Sequence, residues 1–318
     1  MKKKLYTITS LLLALIIIGC NIGTKTIKFG AAGLGGMYYS FASTFTELAS
    51  TENEDYNFEV KSTAGSTANI RLLSEGYIDM CIAQADLIHD AYYGSGNFAN
   101  NKYRGYKAVA GLYNEACQIV VRADSSINSL DDLQGKTINI GEKESGTERN
   151  ANLILQMSGL SSDIVNTVNL NYTNAAKKLK SGEIDALFCT AGVQTTVIEE
   201  LARQCDIRLL SIDEKCINRI TSSYDFYKEY TIPANTYTGQ SEAIKTISVQ
   251  SVLLARNDLP NDIVNNLTSM LFKHSQDIQY SISGNLQLDI DYAVQGVDIP
   301  FHPGAIEYYK ENSINVPS

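Results

Sequence analysis

Three short turns in the 318-residue chain put glycine or serine directly ahead of a helix-like apolar pattern. They are Gly33-Leu-Gly35-Gly36-Met-Tyr38-Tyr39, Gly65-Ser66-Thr-Ala-Asn69 and Ser145-Gly146-Thr147-Glu148. Free backbone N–H groups and the positive end of a helix dipole at such turns attract carboxylates and phosphates. The third turn also reads as a capping box, with Ser145 the cap and Glu148 its reciprocal partner. Any one of these turns can be no more than a helix cap. Matching positions in a duplicated chain, described below, favour a shared cleft. Gln84 and Asp86 follow a buried strand-like run at 78–83, and Gly192 and Gln194 follow a matching run at 184–189. Tyr38, Tyr39, Tyr113 and Tyr237 offer hydroxyl-bearing walls for such a cleft.

Enzyme signatures are poor. His89, His274 and His302 lie far apart, and no G-x-S-x-G elbow occurs. The glycines at 30–36 miss the dinucleotide fingerprint, because Tyr38 stands where its third glycine belongs, and no Lys-Ser/Thr follows to make a phosphate loop. No histidine and carboxylate set has metal spacing, so neither metal nor cofactor is expected. His302, beside Pro303 and Gly304, reads as fixing a turn.

These residues need a frame to hold them, and the chain shows a hidden duplication. Ile27, Gly30 and Gly35 recur as Ile138, Gly141 and Gly146, each 111 positions later. Leu73-Ser-Glu-Gly76-Tyr-Ile78-Asp79 is mirrored 106 positions on by Leu179-Lys-Ser-Gly182-Glu-Ile184-Asp185. Each half reads as strand, glycine loop, helix, then helix, glycine cap, buried strand. That alternation predicts an α/β fold of two similar lobes, each a mostly parallel sheet flanked by helices. The segments 118–122 and 251–256 look alike, each ending in Arg with Asp two positions on, and read as paired crossover strands joining the lobes. Lobe I is then discontinuous, 27–117 plus 251–318, and lobe II is 118–250.

The start of the chain carries an export signal. Lys2, Lys3 and Lys4 precede an apolar run at 11–18, which ends in Gly19-Cys20. The run is short for a membrane span and has the length of a signal-peptide core. A small residue before cysteine at that point is the lipobox pattern. It predicts a signal peptide at 1–19, a lipid on Cys20, and a lipidated tether at 20–26. Removal of residues 1–19 deletes three lysines and no acid, taking the formal charge from −9 to −12. That acidity argues against nucleic acid or anionic lipid as partners of the body. Cys81 and Cys189 read as core residues, and a Cys205–Cys216 bridge stays open in an exported protein.

The mature length resembles the TAXI-type solute receptors of TRAP transporters. The resemblance rests on GLGGMYY at 33–39, GSTAN at 65–69, 73–79, Gln84-Ala-Asp86 and GEKESGT at 141–147. It continues with IPANTYTG at 232–239, 246–259 and FHPGAIEYY at 301–309. It implies a type II periplasmic-binding-protein fold. Two lobes would close on a small carboxylate such as glutamate, glutamine or 2-oxoglutarate and deliver it to an ion-driven membrane permease. It implies cleft contacts from Gly35, Gly36, Tyr38, Tyr39, Ser66, Asn69, Gln84, Ser145, Gly146, Thr147, Gly192 and Tyr237. The body would work on the periplasmic or extracytoplasmic face, lipid-anchored, without cofactor. The chain departs from the family at Gln194 and Thr238, where proline is common. A receptor serving a sensor kinase or another transporter is an alternative, and an enzyme on the same fold is a third.

Overall fold

The computed structural model describes residues 25–53, 56–161, 163–282 and 288–317. The predicted signal, Cys20 and the first part of the tether lie outside these residues. In chain order the first half runs β1 (Lys25–Gly30), α1 (Met37–Glu52), β2 (Tyr56–Lys61), α2 (Ser66–Ser74), β3 (Met80–Gln84), α3 (Ala85–Tyr93) and the long strand β4 (Tyr106–Arg122). The second half runs β5 (Thr137–Asn139), α4 (Gly146–Met157), β6 (Asn166–Val168), α5 (Tyr172–Ser181), β7 (Ala186–Ala191), α6 (Thr196–Gln204), β8 (Ile207–Leu209), α7 (Glu214–Ser223) and β9 (Tyr227–Ile232). The long strand β10 (Ile244–Arg256) then returns the chain to the first half, followed by α8 (Asn261–Lys273), α9 (Ser275–Ser281) and α10 (Pro303–Glu311).

The strands form one sheet in the order β2-β1-β3-β10-β4-β7-β5-β6, with β8 on β4 and β9 on β10. Pairing is parallel at both ends, β2-β1-β3 and β7-β5-β6, and antiparallel through the middle. The inner strands β3 and β7 are buried along their whole length and are apolar except for Gln84 and Thr190 near their ends. One apolar cluster draws on residues 27–113 and 252–309, and two others draw on 116–249.

The duplication is physical. The Asp79 carboxylate accepts the Lys28 N–H at 2.9 Å, while its own N–H donates to the Lys28 carbonyl at 2.8 Å. Asp185 does the same to Thr137, with both distances 2.8 Å. Each aspartate thus clips the start of its own strand to the neighbouring strand, at Lys28 within β1 and at Thr137 at the start of β5. The glycines before them take the left-handed cap geometry, φ +77° at Gly76 and +78° at Gly182. Arg256 reaches the Gly76 carbonyl (3.3 Å) and Asp79 (3.2 Å), and Arg122 reaches the Leu179 carbonyl (3.1 Å). Asp258 and Asp124, two positions on, bind those same guanidinium groups.

Two sequence expectations change here. First, the register of the repeat is 109, not 111. Lys28 matches Thr137, and Ala31, bonded to Lys61, matches Ile140, bonded to Val168. The two-residue slip escapes a sequence reading because strand side chains have period two, so the same face stays buried. Second, segments 118–122 and 251–256 do not face each other. The antiparallel register puts Ser251 opposite Tyr113 and Arg256 opposite Tyr106. The two arginine ends therefore lie at opposite ends of a shared ribbon, each closing its own half. Cys205 and Cys216 are not bridged. Cys216 is buried, with its Sγ 3.2 Å from Ser158 Oγ, and Cys205 is half-buried elsewhere.

Candidate functional site

A crevice of about 50 Å³ lies where the two halves meet. Its walls include Gly33, Gly36, Met37 and Tyr38 at the start of α1, and Gly65 and Ser66 at the start of α2. Gln84 closes the end of β3, and Ser145, Gly146 and Thr147 open α4. Tyr172, Thr190 and Ala191 complete the far side, and Glu115 and Glu142 are its charged residues. Four helices have both cap and first residue on this space, those that begin after Gly36, Gly65, Ser145 and Asn171. First-turn N–H groups have no partner within a helix, so these starts present donors and dipole to a ligand.

The capping box is half realised. The Ser145 hydroxyl accepts the Glu148 N–H at 3.0 Å, but the Glu148 carboxylate turns to the Glu144 N–H (2.8 Å) and to Asn169 (3.0 Å). Glu144 has φ +65°, which brings its N–H within reach in place of the Ser145 N–H. Behind the crevice, Thr147 Oγ1 lies 2.7 Å from the Tyr172 hydroxyl and accepts the Thr190 N–H at 3.2 Å. That network fixes the first turn of α4 against β7.

Glu115 was not singled out by its sequence context, yet it sits at the centre of the site. It lies midway along β4, where the sheet passes from one half to the other, and is 2 % exposed. Its Oε2 accepts the Tyr38 hydroxyl at 2.9 Å and the Gln84 Nε2 at 3.0 Å. Burial pushes its carboxyl up to about 8, against the pull of those two hydrogen bonds. Burial first, and then the Glu115 charge, also raise the Tyr38 phenol well above its ordinary value.

The structure sorts the expected contacts. Gly36, Tyr38, Ser66, Gln84, Ser145, Gly146 and Thr147 line the crevice. Gly35, Tyr39, Asn69, Gly192 and Tyr237 do not. Tyr39 packs on the apolar cluster of the first half. The Asn69 amide donates to the carbonyls of Gly30 (3.3 Å) and Ile82 (2.9 Å) and accepts from Thr63 (2.6 Å), so it ties β1, β3 and a loop together. Gly192 gives room to Met37, whose Cε would lie 2.6 Å from a Cβ there. Tyr237 is buried, donating to Gln118 (2.6 Å) and accepting from the Thr195 N–H (3.2 Å). Its neighbour Gln194 has φ +62°, which proline cannot adopt. Asp86 does not line the crevice either and binds the Tyr227 hydroxyl at 2.7 Å. His302 fixes a turn as expected, its Nδ1 accepting the Gly304 N–H at 3.3 Å.

The halves touch around the crevice. Ala68 N–H donates to the Glu144 carbonyl at 3.1 Å, and Arg71 grips the Glu144 carboxylate through Nε (3.1 Å) and Nη2 (2.8 Å). A Cβ on Gly65 would lie 3.2 Å from Ser145, and one on Gly146 would collide with the Gln84 amide. Glycine at both places is what lets the two walls close to this distance.

Solved structures share this architecture. One described as a periplasmic transporter matches at TM-score 0.55 and 14 % identity, over 92 % of this chain and 93 % of its own. The binding-protein component of an ABC phosphonate transporter from Pseudomonas aeruginosa matches at TM-score 0.53 and 13 % identity, over 84 % and 82 %. An ancestral arginine-binding protein bound to arginine matches at 0.51 and 16 %, over 81 % and 98 %. At such identities the likeness shows the fold, that of type II periplasmic binding proteins. The model of the NMT1-like family spans residues 29–312, from the first strand to the last helix, and the chain belongs to that family.

Proposed function

We propose that this protein is an extracytoplasmic solute receptor that captures a small carboxylate between its lobes and delivers it to a TRAP-type secondary permease. Lobe I is 27–117 with 251–318, lobe II is 118–250, and the lipid on Cys20 keeps the body at the membrane surface. The observation that carries this reading is the crevice between the halves, onto which four helix N-termini open. Helix starts there can hold a carboxylate without a cationic side chain. The reading is supported by the shared fold with the Pseudomonas aeruginosa ABC phosphonate-transporter component and the arginine-bound ancestral protein. Contacts between the halves give a ligand that touches both walls a preference for the closed form, which is how such a receptor reports occupancy. The protein releases its solute chemically unchanged.

Calorimetry of the purified mature chain against amino and 2-oxo acids tests the ligand class. Heat from one of them is expected. Heat from a sugar or nucleoside, with none from any acid, refutes it. Uptake into vesicles carrying the permease, driven by an ion gradient without ATP, is the expected transport result. Uptake that needs ATP refutes the TRAP assignment. Intact-mass analysis of the membrane-extracted protein should show the acylated Cys20 N-terminus, and an unmodified cysteine refutes the anchor.

A further inference from the structure

We infer that Glu115 selects the solute: its carboxyl receives an ammonium group, so the crevice takes a zwitterion, with carboxylate on the helix starts and amine on Glu115. Capture then expels to solvent the proton that this carboxyl otherwise holds. The inference rests on the proposed receptor function and deepens it.

Charge in the crevice carries the argument. Its ionisable acids are Glu115 and Glu142, and no lysine, arginine or histidine stands among its lining residues. A ligand bearing only negative charge would meet two acids and no basic side chain. The helix starts can balance one carboxylate, but a dianion leaves the second unmatched at low dielectric, where such charges are costly. The hydrogen-bond inventory agrees. Gln84 is 2 % exposed and spends its Nε2 on Glu115, and its Oε1 has no partner among the described residues. That oxygen and the Glu115 carboxylate are two acceptors at one place, and an ammonium brings three donors.

The groups facing Glu115 come from every element packed around it. Tyr38 is on α1, Gln84 ends β3, and Asp86 opens α3. Tyr113 and Cys117 are neighbours on β4 itself, Tyr172 is on α5, and Cys189 is on β7. None carries positive charge. Arg149 is engaged by Asp86 (3.8 Å) and Asp90 (3.6 Å). On β10 the residue opposite Glu115 is Val249, which is apolar. Two hydrogen bonds in this set favour an ionised Glu115 but no positive charge does, so an incoming ammonium is the group that neutralises the carboxylate. With the carboxyl near 8 by burial, about 0.9 proton leaves per ligand at pH 7 and about 0.5 at pH 8.

The test is titration calorimetry of the mature chain with the twenty amino acids and their matching 2-oxo acids. It is run at pH 6, 7 and 8 in buffers of different ionisation heat. The expected result is an amino acid binding at least a hundredfold tighter than the 2-oxo acid of the same side chain. Its affinity should rise about ninefold from pH 6 to pH 7, with the proton release given above. Glu115→Gln keeps acceptors for Tyr38 and Gln84 and should abolish both the proton release and the pH slope. An amine-free acid that binds as tightly as its amino acid, or uptake of a proton on binding, overturns the inference and leaves the carboxylate receptor standing. Absence of binding by every acid overturns both. The wild-type proton count decides the matter even if the variant folds poorly.

Discussion

Replacing Glu115 with glutamine should make the protein's stability less sensitive to alkali. A glutamate in an unfolded chain titrates near 4.5, and burial holds the native group near 8. Between those values the native state binds more protons than the unfolded state, so stability falls as pH rises through that window. Integrated from pH 5 to pH 8, the loss is about 3–4 kcal/mol. Glutamine does not titrate, and its Oε1 can still accept from Tyr38 and Gln84. Urea unfolding of both proteins at pH 5 and pH 8 should therefore show the variant gaining about 3–4 kcal/mol on the wild type. One process caps that figure. Separating the halves would return Glu115 to water, so the cost cannot exceed the free energy of opening. A smaller gain must then come with a larger radius of gyration for the wild type, but not the variant, at pH 8. An equal difference at both pH values, without expansion, refutes the placement of an unpaired carboxyl in a closed crevice.

Gly146→Ala should destabilise the closed protein, because its Cβ would overlap the Gln84 amide that Glu115 holds in place. It should also weaken ligand binding more than tenfold, because its Cβ meets the Gln84 amide across the crevice. Parallel melting and binding curves check this, and undiminished affinity refutes it. Asp79→Ala strips the partly buried Lys28 N–H of its acceptor and removes one of the partners of Arg256, and should cost about 1–3 kcal/mol in urea unfolding. A loss under about 0.3 kcal/mol would mean that the clip contributes nothing to stability.

Much of the fold could be read from the chain because the signals were local. A glycine after a leucine-bearing helix end, then an isoleucine and an aspartate, names a helix cap at Gly76 and Gly182 and a buried strand that begins just after Asp79 and Asp185. What the aspartates do could not be read, since their partners Lys28 and Thr137 are 51 and 48 residues away. The register of the repeat was missed for a related reason. A two-residue slip preserves the strand face and costs nothing in the apolar pattern, so only backbone pairing reveals it. Ser145, Gly146, Thr147, Ser66 and Gly36 were legible as helix starts, and helix starts are where the crevice is. Asn69, Gly192 and Tyr237 carry the same polar or small character, yet they serve packing and backbone ties. Residue type alone does not separate a side chain that meets a ligand from one that meets a carbonyl.

Glu115 shows what the local reading leaves out. In the sequence it follows Asn114 as a polar break between two apolar runs, which is the pattern of a loop. In the fold those runs are one 17-residue strand, and the break falls at its midpoint, with β3 and β10 on one side and β7 on the other. A carboxyl there cannot reach water while the halves are together, and it costs little once they part. The same residue therefore opposes closure when ionised and rewards it when a cation arrives. Helix starts alone would hold any small anion. An acid at the pivot makes closure conditional on a second, opposite charge, so the geometry that buries Glu115 also gives the crevice its selectivity.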